Sequence, residues 1–510
     1  MSSTPSPPPP TLDPGGAADL RADLDESGYT VEGVADLLGP VASAALHREQ
    51  RLPADLATRG STDPAALLLR LFVLGLPVPA GHLDRALPRT GTAGLAAAGA
   101  VAPVPGRPGE VLARCDLRPY GEEERAWWVA SDLGETAVGG PLPPDHVLGI
   151  GGASTTLASW TPRPHVTRAL DVGTGCGVQA LHLAGHVDRP VVATDVSDRA
   201  LGYAAFTAAL NGVGLDLRRG SLLEPVAGER FDLVVANPPF VITPRDAGVP
   251  RYEYRDGGRA GDSLVADLVR GVGEHLAPGG IAQLLGNWES AEGQDWRERV
   301  GSWLEDTGMD AWVVQREVQD PAQYAETWVR DGGHRPGTPD HEQLYAAWLA
   351  DFAARGVDRV GLGVITLHRP ETDRSPWREL TEDAGAVATP MGPAVLAGVR
   401  ARTWLAEHGR DDLLDTAWVV APDVTEERVG RPGAVDPAVI QLVQGGGLRR
   451  TVRLDTVTAA LVGVCDGELT ARQALAGIGV LLDEDPQELG RRSLPLLHGL
   501  VADGLVRRPG

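Results

Sequence analysis

Four consecutive residues in the middle of the chain form the pattern best suited to chemistry. They end the segment FDLVVANPPF and are Asn237, Pro238, Pro239 and Phe240. The side-chain oxygen of Asn237 and the backbone carbonyl of Pro238 can both accept hydrogen bonds from one planar NH2 group, which orients the lone pair of its nitrogen for an in-line displacement. The prolines stiffen the backbone and remove competing donors, and Phe240 offers a flat face. We predict that these four residues are catalytic, although a rigid turn that ends a strand has the same sequence.

A glycine-rich turn earlier in the chain has the spacing of a ligand-binding loop. The segment DVGTGCG follows an apolar strand and precedes an amphipathic helix. Glycines at alternate positions allow a tight turn whose backbone approaches a ligand at a helix N-terminus. Their spacing is GxGxG, whereas dinucleotide-binding turns have GxGxxG. The residues of this turn predicted to bind a cofactor are Asp171, Gly173, Thr174, Gly175 and Gly177. Of these, we expect Asp171 to brace the loop or reach the cofactor's amino group.

An acidic residue follows the turn at the spacing expected for a ribose-binding group. Asp195 ends the second apolar strand, VVATD. A carboxylate in that position can accept hydrogen bonds from both ribose hydroxyls. The alternative is a solvated turn aspartate that caps the next helix. The remaining residues predicted to bind the cofactor are Val196, Ser221, Leu222 and Asn237.

The elements that position these motifs alternate between apolar strands and helices from about residue 145 to 290. This alternation is typical of a parallel α/β sheet. The predicted strands cover residues 169–172, 191–195, 215–219, 233–236 and 280–285. A Trp-rich insertion, 289–357, is predicted to be mostly helical with a strand at 311–318, and the sheet resumes at 359–367. The motifs follow the strands, at the edge where α/β sheets bind ligands.

The rest of the 510 residues divides into further units. Residues 1–17 are rich in proline and serine and predict a disordered tail. The pattern of residues 18–133 predicts helices followed by short strands, which is typical of a winged-helix-like domain. Residues 390–510 predict a second domain of this kind. The central domain takes residues 145–370. Winged helices bind nucleic acid and protein alike, so these units do not indicate a function.

Composition excludes several classes of protein. The net charge of −23 disfavours a polyanionic partner, because phosphate contacts dominate nucleic-acid affinity. The sequence has no run of about 18 uncharged apolar residues and begins with no signal-peptide pattern. Cys115, Cys176 and Cys465 are far apart, which predicts neither disulfides nor a zinc site. We therefore expect a cytoplasmic protein that binds no membrane and no metal.

Residues 146–290 resemble the class I S-adenosylmethionine-dependent methyltransferases with an Asn-Pro-Pro-aromatic motif. The similarity rests on DVGTGCG, TDVSDRAL, NPPF and YRDGGRAGDSL, and it is strongest to release-factor glutamine methyltransferases and related small-domain RNA guanine and adenine methyltransferases. It implies an α/β fold with a Rossmann-like seven-stranded sheet, its last strand antiparallel, flanked by the small α+β domains. It also implies S-adenosyl-L-methionine over residues 173–177 and Asp195, and Asn237 as the residue that grips the acceptor.

The chain departs from this family in three respects. Gly220, Ser221 and Leu222 stand where many relatives have an aspartate facing the adenine, and Phe240 replaces a common tyrosine. The flanking domains lie outside the resemblance, which covers less than a third of the chain. The segment YRDGGRAGDSL resembles a Gly-Gly segment of the glutamine enzymes and favours a protein amide as acceptor.

We therefore predict an N-methyltransferase that acts on a planar nitrogen, with a glutamine side chain of a protein as the favoured acceptor. The alternatives are an exocyclic amine of guanine or adenine in RNA or DNA, a small molecule with a planar NH2 group, and a catalytically silent binding or regulatory protein. An electropositive surface beside Asn237 would favour nucleic acid, whereas an acidic or apolar groove would favour protein.

Other residues have two interpretations each. Residues just before the first strand either close over the methionine end of the cofactor or form a helix cap; these are Thr155, Thr156 and Leu157. Tyr252 and Tyr254 follow the catalytic motif closely, and the sequence leaves open whether they line the acceptor site. A basic cluster is either a solvated face or an RNA contact; this is Arg449, Arg450 and Arg453. We expect the tryptophans from 288 to 348 to be core, and His182 and His186 to be surface or packing residues.

Overall fold

The computed structural model describes residues 6–122, 125–138, 142–245, 248–433 and 436–509. Its N-terminal part is helical and ends in a hairpin. The helices are α1 (Pro14–Glu26), α2 (Val31–Leu46), α3 (Arg51–Thr58), α4 (Pro64–Leu68), α5 (Ala80–Ala86), α6 (Gly91–Ala97) and α7 (Glu135–Val138). The strands are β1 (Val78–Pro79), β2 (Val101–Pro103), β3 (Glu110–Ala113), β4 (Asp116–Glu122) and β5 (Arg125–Ser131). β1, β3 and β2 form one small sheet, and β4 and β5 form the hairpin.

An eight-stranded sheet follows. Its strands are β6 (Ala169–Val172), β7 (Val191–Asp195), β8 (Leu215–Arg219), β9 (Phe231–Ala236), β10 (Leu276–Ala291), β11 (Asp310–Gln319), β12 (Val357–His368) and β13 (Arg378–Glu382). Their order is β13-β11-β12-β10-β9-β6-β7-β8. β8, β7, β6, β9 and β10 are parallel, and β12 is antiparallel to both of its neighbours. The Rossmann-like sheet is confirmed; β13, which the sequence did not predict, is an eighth strand beside β11.

Seven helices cover this sheet or extend from it. They are α8 (Gly152–Trp160), α9 (Val178–Ala184), α10 (Asp198–Asn211), α11 (Ser263–Gly271), α12 (Trp296–Leu304), α13 (Pro321–Asp331) and α14 (Pro339–Arg355). The last three confirm the helical prediction for the Trp-rich insertion. Trp288, Trp296, Trp303 and Trp348 are buried, as expected for core residues. Trp328 is half-buried and contacts the ring of Phe240.

The C-terminal part combines five helices with two three-stranded sheets. The helices are α15 (Gly392–Glu407), α16 (Arg410–Asp415), α17 (Thr456–Val462), α18 (Ala471–Leu482) and α19 (Pro486–Ala502). The strands are β14 (Ala417–Val420), β15 (Val424–Val429), β16 (Val439–Gln444), β17 (Thr451–Leu454), β18 (Asp466–Thr470) and β19 (Val506–Arg507). The winged-helix character of this part and of the N-terminal part stays a prediction, as do the domain boundaries.

Both outer parts pack against the central sheet and its helices. A single apolar cluster joins N-terminal residues such as Leu20 and Trp128 to Tyr203 and Phe206 of α10. On the other side, the buried guanidinium of Arg402 donates to the Glu379 carboxylate of β13.

The prediction of a disordered tail is wrong for residues 6–17. Ser6 Oγ donates to Asp145 Oδ1 over 2.9 Å, Pro9 lies against Gly202, and α1 begins at Pro14. Proline fixes φ, so an extended proline-rich segment loses little entropy when it packs. The first five residues of the predicted tail lie outside the described residues. Within the ranges that the structure describes, no helix has the length and apolarity needed to cross a bilayer.

Candidate active site

A cavity of about 300 Å³ opens at the carboxyl ends of the central strands. This central cavity is within the size range of small-molecule sites. It collects residues from four successive strand ends, as the sequence predicted. The predicted residues that line it are Gly173, Thr174, Gly175, Asp195, Val196, Ser221, Leu222, Asn237 and Pro239.

The glycine turn after β6 needs its glycines for backbone geometry. The backbone φ values of Gly173, Gly175 and Gly177 are +74°, +55° and +87°. Residues other than glycine rarely adopt such values. A Cβ at Gly177 would lie 3.2 Å from Ala204 Cα. Gly177 therefore serves the close packing of α9 against α10 and stands behind the cavity wall.

Asp171 lies beneath the turn, fully buried. Its Oδ2 accepts hydrogen bonds from Thr174 Oγ1 at 2.7 Å and from Ala180 N at 3.1 Å, while its buried Oδ1 has no hydrogen-bond partner among the described residues. Burial raises the pKa of Asp171 to about 7. The geometry favours the bracing role, because the carboxyl fixes the turn from behind.

Asp195 combines the two roles that the sequence left open. Its Oδ2 accepts from Gly175 N at 3.0 Å and its Oδ1 accepts from Ser197 N at 2.9 Å. It also lines the cavity, and burial raises its pKa. Each carboxylate oxygen has further acceptor capacity. The side chain can therefore hold the glycine turn and still accept hydrogen bonds from a ligand hydroxyl.

The turn after β8 supplies an apolar wall. Leu222 has φ +47°, an uncommon value for a leucine, and its carbonyl accepts from Thr194 Oγ1 at 3.1 Å. Ser221 precedes it on the same wall. This is where the sequence departs from relatives that carry an aspartate, and the structure brings both residues to the cavity.

Part of the predicted catalytic motif lines the cavity, and part of it contacts the Trp-rich insertion. Asn237 and Pro239 line the cavity, and Pro238 is buried. The ring of Phe240 makes an edge contact with Trp328, with centroids 6.4 Å apart and planes at 80°. Phe240 therefore packs against the Trp-rich insertion. The roles of the four residues stay predictions.

Residues 146–149 also line the cavity, although they were not predicted from the sequence. This segment is held by Asp132, whose Oδ2 accepts from Val147 N at 2.9 Å and whose Oδ1 accepts from Tyr203 Oη at 2.8 Å. Burial lowers the pKa of His146, a member of this segment. No motif marks these residues, because they reach the cavity only through contacts between distant segments.

The wall beside the catalytic motif is formed by residues 252–257, here called the acceptor loop. Glu253, Tyr254, Asp256 and Gly257 line the cavity, whereas Tyr252 is buried behind them. The structure thus separates the two tyrosines that the sequence treated together.

The cavity wall is acidic. Among the described lining residues, the charged side chains are Asp195, Glu253 and Asp256. Nearby arginines are paired: Arg245 Nη1 lies 2.8 Å from Asp256 Oδ1, and Arg255 pairs with a carboxylate of α13. The wall is therefore acidic and in part apolar.

Other candidates lie elsewhere. Thr155 and Thr156 are exposed on α8 and face a different cavity from the one that Ser154 lines. Arg450 donates to Asp503 Oδ2 at 2.9 Å, so it belongs to an internal ion pair. His182 is buried, and its Nε2 lies 2.9 Å from Tyr120 Oη, which agrees with a packing role.

Within the described ranges, no three His, Cys, Asp or Glu side chains are grouped closely enough to hold a metal ion.

Three segments of the chain match known protein families. Residues 149–292 match the methyltransferase small domain, and these residues form most of the cavity. Residues 26–114 and 397–508 match two domains of unknown function, DUF7059 and DUF7782. The chain therefore contains a methyltransferase small domain, and the resemblance to class I S-adenosylmethionine-dependent methyltransferases is confirmed.

Curated relatives are similar over the same region. The release factor glutamine methyltransferase of Geobacter sulfurreducens is 37% identical over 23% of this chain and 44% of its own length. The ribosomal protein uL3 glutamine methyltransferase of Bradyrhizobium diazoefficiens is 31% identical over 37% of this chain and 59% of its own length. The chain thus spans about half the length of the curated relatives it matches.

Solved structures are similar at low scores. The ribosomal protein L11 methylase of Lactobacillus delbrueckii subsp. bulgaricus is 19% identical, with 42% of this chain and 75% of that chain covered and a TM-score of 0.23. An rRNA methylase of Streptococcus thermophilus is 15% identical, with 44% and 99% covered and a TM-score of 0.24. The fold described above rests on the strand order of this chain itself.

The buried carboxyl of Asp171 predicts a pH-dependent stability. With its pKa raised to about 7, the folded protein retains a proton that the unfolded chain releases near pH 4. The contribution of Asp171 to the free energy of unfolding is therefore constant below pH ~4, falls as the pH rises to about 7, and is constant again above that pH. The total loss from this one group is roughly 4 kcal/mol. Asp171→Asn keeps an oxygen acceptor and cannot ionise, so its thermal midpoint should rise relative to wild type across this window.

Thermal unfolding between pH 4 and 8 measures this difference. Asp216→Asn, which changes a half-exposed carboxylate on β8 of the same sheet, is the matched control. A constant difference in midpoint between wild type and Asp171→Asn at every pH would contradict a protonated Asp171.

Proposed function

We propose that the protein transfers a methyl group from S-adenosyl-L-methionine to a planar amide nitrogen, with a protein glutamine side chain as the acceptor, in the cytoplasm. The observation that carries the proposal is the convergence of the glycine turn, Asp195 and Asn237 on one cavity with an acidic wall. The methyltransferase small domain that contains these residues supports it.

The residues around the cavity fit the proposed cofactor. Gly173 and Gly175 line the cavity and carry no side chain, so a cofactor can approach the backbone of the turn closely. The Asp195 carboxylate can accept from ribose hydroxyls. Val196 and Leu222 provide apolar surface for a planar base. When bound, the cofactor supplies an electrophilic methyl group on a sulfonium.

Asn237 and Pro238 act on the acceptor. The Asn237 side-chain oxygen and the Pro238 carbonyl accept from the NH2 group, which turns the nitrogen lone pair away from both oxygens. The same oxygens stabilise positive charge that develops on the nitrogen in the transition state. No strong base is required, because the methylated nitrogen is acidic and loses a proton to water.

The electrostatics favour a protein over a nucleic acid. The exposed carboxylate of Glu253 would repel phosphates beside Asn237, whereas the charge of Asp256 is compensated by Arg245. The net charge of −23 would repel a polyanion at longer range. Two curated relatives are named as methyltransferases of glutamine in a release factor and in ribosomal protein uL3, and both names specify a protein substrate. A silent regulatory protein is disfavoured by the intact catalytic motif.

The domain division belongs to the same proposal. The methyltransferase domain covers residues 145–370, with the insertion 289–357. The outer domains, 18–133 and 390–510, lie outside the methyltransferase match and are proposed to select the acceptor.

Removal of the Asp195 carboxylate should weaken the binding of S-adenosylmethionine. Hydrogen bonds to a charged group contribute about 1.5–3 kcal/mol, so Asp195→Ala should raise the dissociation constant roughly 10- to 100-fold. Isothermal titration calorimetry measures this constant. Asp198→Ala, which removes an exposed carboxylate three residues later, should bind like wild type. Equal affinities of the Asp195 and Asp198 variants would place the cofactor elsewhere.

Truncation of Asn237 should slow methyl transfer more than it weakens cofactor binding. The loss of one group that stabilises the transition state costs about 100- to 1,000-fold in kcat, so Asn237→Ala should lose activity to this extent. The assay is transfer of a labelled methyl group to a library of glutamine-centred peptides, with RNA as a second substrate class. Asn237→Asp, of the same shape, controls for packing. Wild-type activity in Asn237→Ala, or transfer to RNA alone, would contradict the proposed reaction.

A further inference from the structure

The C-terminal end of α13 contacts the acceptor loop through four hydrogen bonds. Arg255 Nη1 donates to the Trp328 carbonyl at 2.8 Å and to Asp331 Oδ2. Tyr254 Oη donates to the same Asp331 oxygen at 3.0 Å, and Tyr252 Oη donates to the Gly332 carbonyl at 3.3 Å. The acceptor loop is thereby fastened to a helix of the Trp-rich insertion.

Arg255 is the centre of this contact. Its side chain is 7% exposed, and its guanidinium carbon lies 4.5 Å from the ring centroid of Tyr252 and 5.8 Å from those of Tyr254 and Trp328. A buried cation is costly without a charged partner, and cation–π contacts stabilise it only in part. Asp331, which is 38% exposed, therefore sets where Arg255 and the two tyrosines lie.

The acceptor loop also pairs with the catalytic motif. Phe240 and Asp256 form an antiparallel bridge, and Val241 N donates to the Arg255 carbonyl at 2.8 Å. A Cβ at Gly257 would lie 3.1 Å from the Pro239 carbonyl oxygen, so the two backbones are in close approach. Because Arg255 lies within this pairing, a shift of its side chain moves the wall opposite Asn237.

We propose that Asp331 and Arg255 are positioning residues for the methyl acceptor, which hold the acceptor loop against the catalytic motif. The inference rests on the proposed function and deepens it. Asp331 lies outside residues 149–292, the part matched to the methyltransferase small domain, so the insertion of this chain supplies the support. The proposal concerns the acceptor side: Asp331 and Arg255 act through Tyr254 and Phe240.

The test compares Asp331→Asn, Asp331→Glu and wild type in the full-length chain. Hydrogen–deuterium exchange of residues 252–257 should increase in Asp331→Asn, because the neutral amide cannot compensate Arg255. The dissociation constant of S-adenosylmethionine, from calorimetry, should stay close to wild type. The KM for a glutamine-centred peptide should rise and kcat/KM should fall about 10- to 100-fold, the scale expected for a misplaced acceptor.

Two controls separate positioning from general damage. Asp331→Glu keeps the charge and should restore much of the exchange protection and of kcat/KM. Glu326→Gln removes an exposed carboxylate of the same helix and should behave like wild type in all three measurements.

Each outcome decides a separate point. Unchanged exchange at residues 252–257 in Asp331→Asn, or a loss of cofactor affinity as large as the loss of kcat/KM, would overturn the positioning role. The exchange and cofactor measurements need no acceptor. A wild-type protein that methylates none of the peptides would therefore overturn the proposed function, while increased exchange in Asp331→Asn would still establish the hold of α13 on the loop.

Discussion

The parallel register of three neighbouring strands is the constraint on which the candidate site depends. Val172 of β6 is paired with Thr194 of β7 on one side and with Ala236 of β9 on the other. β6 and β9 therefore end level with Thr194, and the next residue of each segment (Gly173, Asp195 and Asn237) lines the cavity. The backbone N–H groups of Gly173 and Thr174 both donate to the Thr194 carbonyl at 2.9 Å, which fixes the turn to this edge. A shift of one residue in this register would turn the side chains to opposite faces.

Buried polar groups stabilise this edge from behind and from the side. The Asp171 carboxyl holds the glycine turn by two hydrogen bonds, and Asp195 holds it by a third. Asp171 is fully buried and Asp195 is half-buried at the cavity, and burial raises the pKa of both acids. A polar ligand in this cavity would meet a rigid set of donors and acceptors, which is the condition for selective binding and catalysis.

The outer parts of the chain complete the walls. Asp132, at the end of the N-terminal hairpin, holds the segment 146–149 over the cavity. The insertion helix α13 holds the acceptor loop on the opposite side. The walls of the cavity are thus set in part by regions outside residues 149–292, the part matched to the methyltransferase small domain, and the acidic residues Glu253 and Asp256 belong to the acceptor loop itself. A core of this kind can therefore be combined with walls that its own strands do not specify.

Local sequence patterns were enough to predict seven strands of the central sheet and the motifs that meet at their carboxyl ends. Periodicity sufficed because β6, β7 and β9 are short apolar runs buried on both faces, and the GxGxG and Asn-Pro-Pro-Phe motifs follow them directly. Local patterns also predicted the helices of the insertion, whereas the edge strand β13, half-exposed and polar, gave no such signal. Three contacts could be seen only in the folded chain: Phe240 packs on Trp328, Pro9 lies against α10, and Asp331 binds side chains of the acceptor loop. Each of these depends on contacts between segments far apart in the chain, which form only when the whole core is assembled and which leave no periodicity or spacing in the sequence.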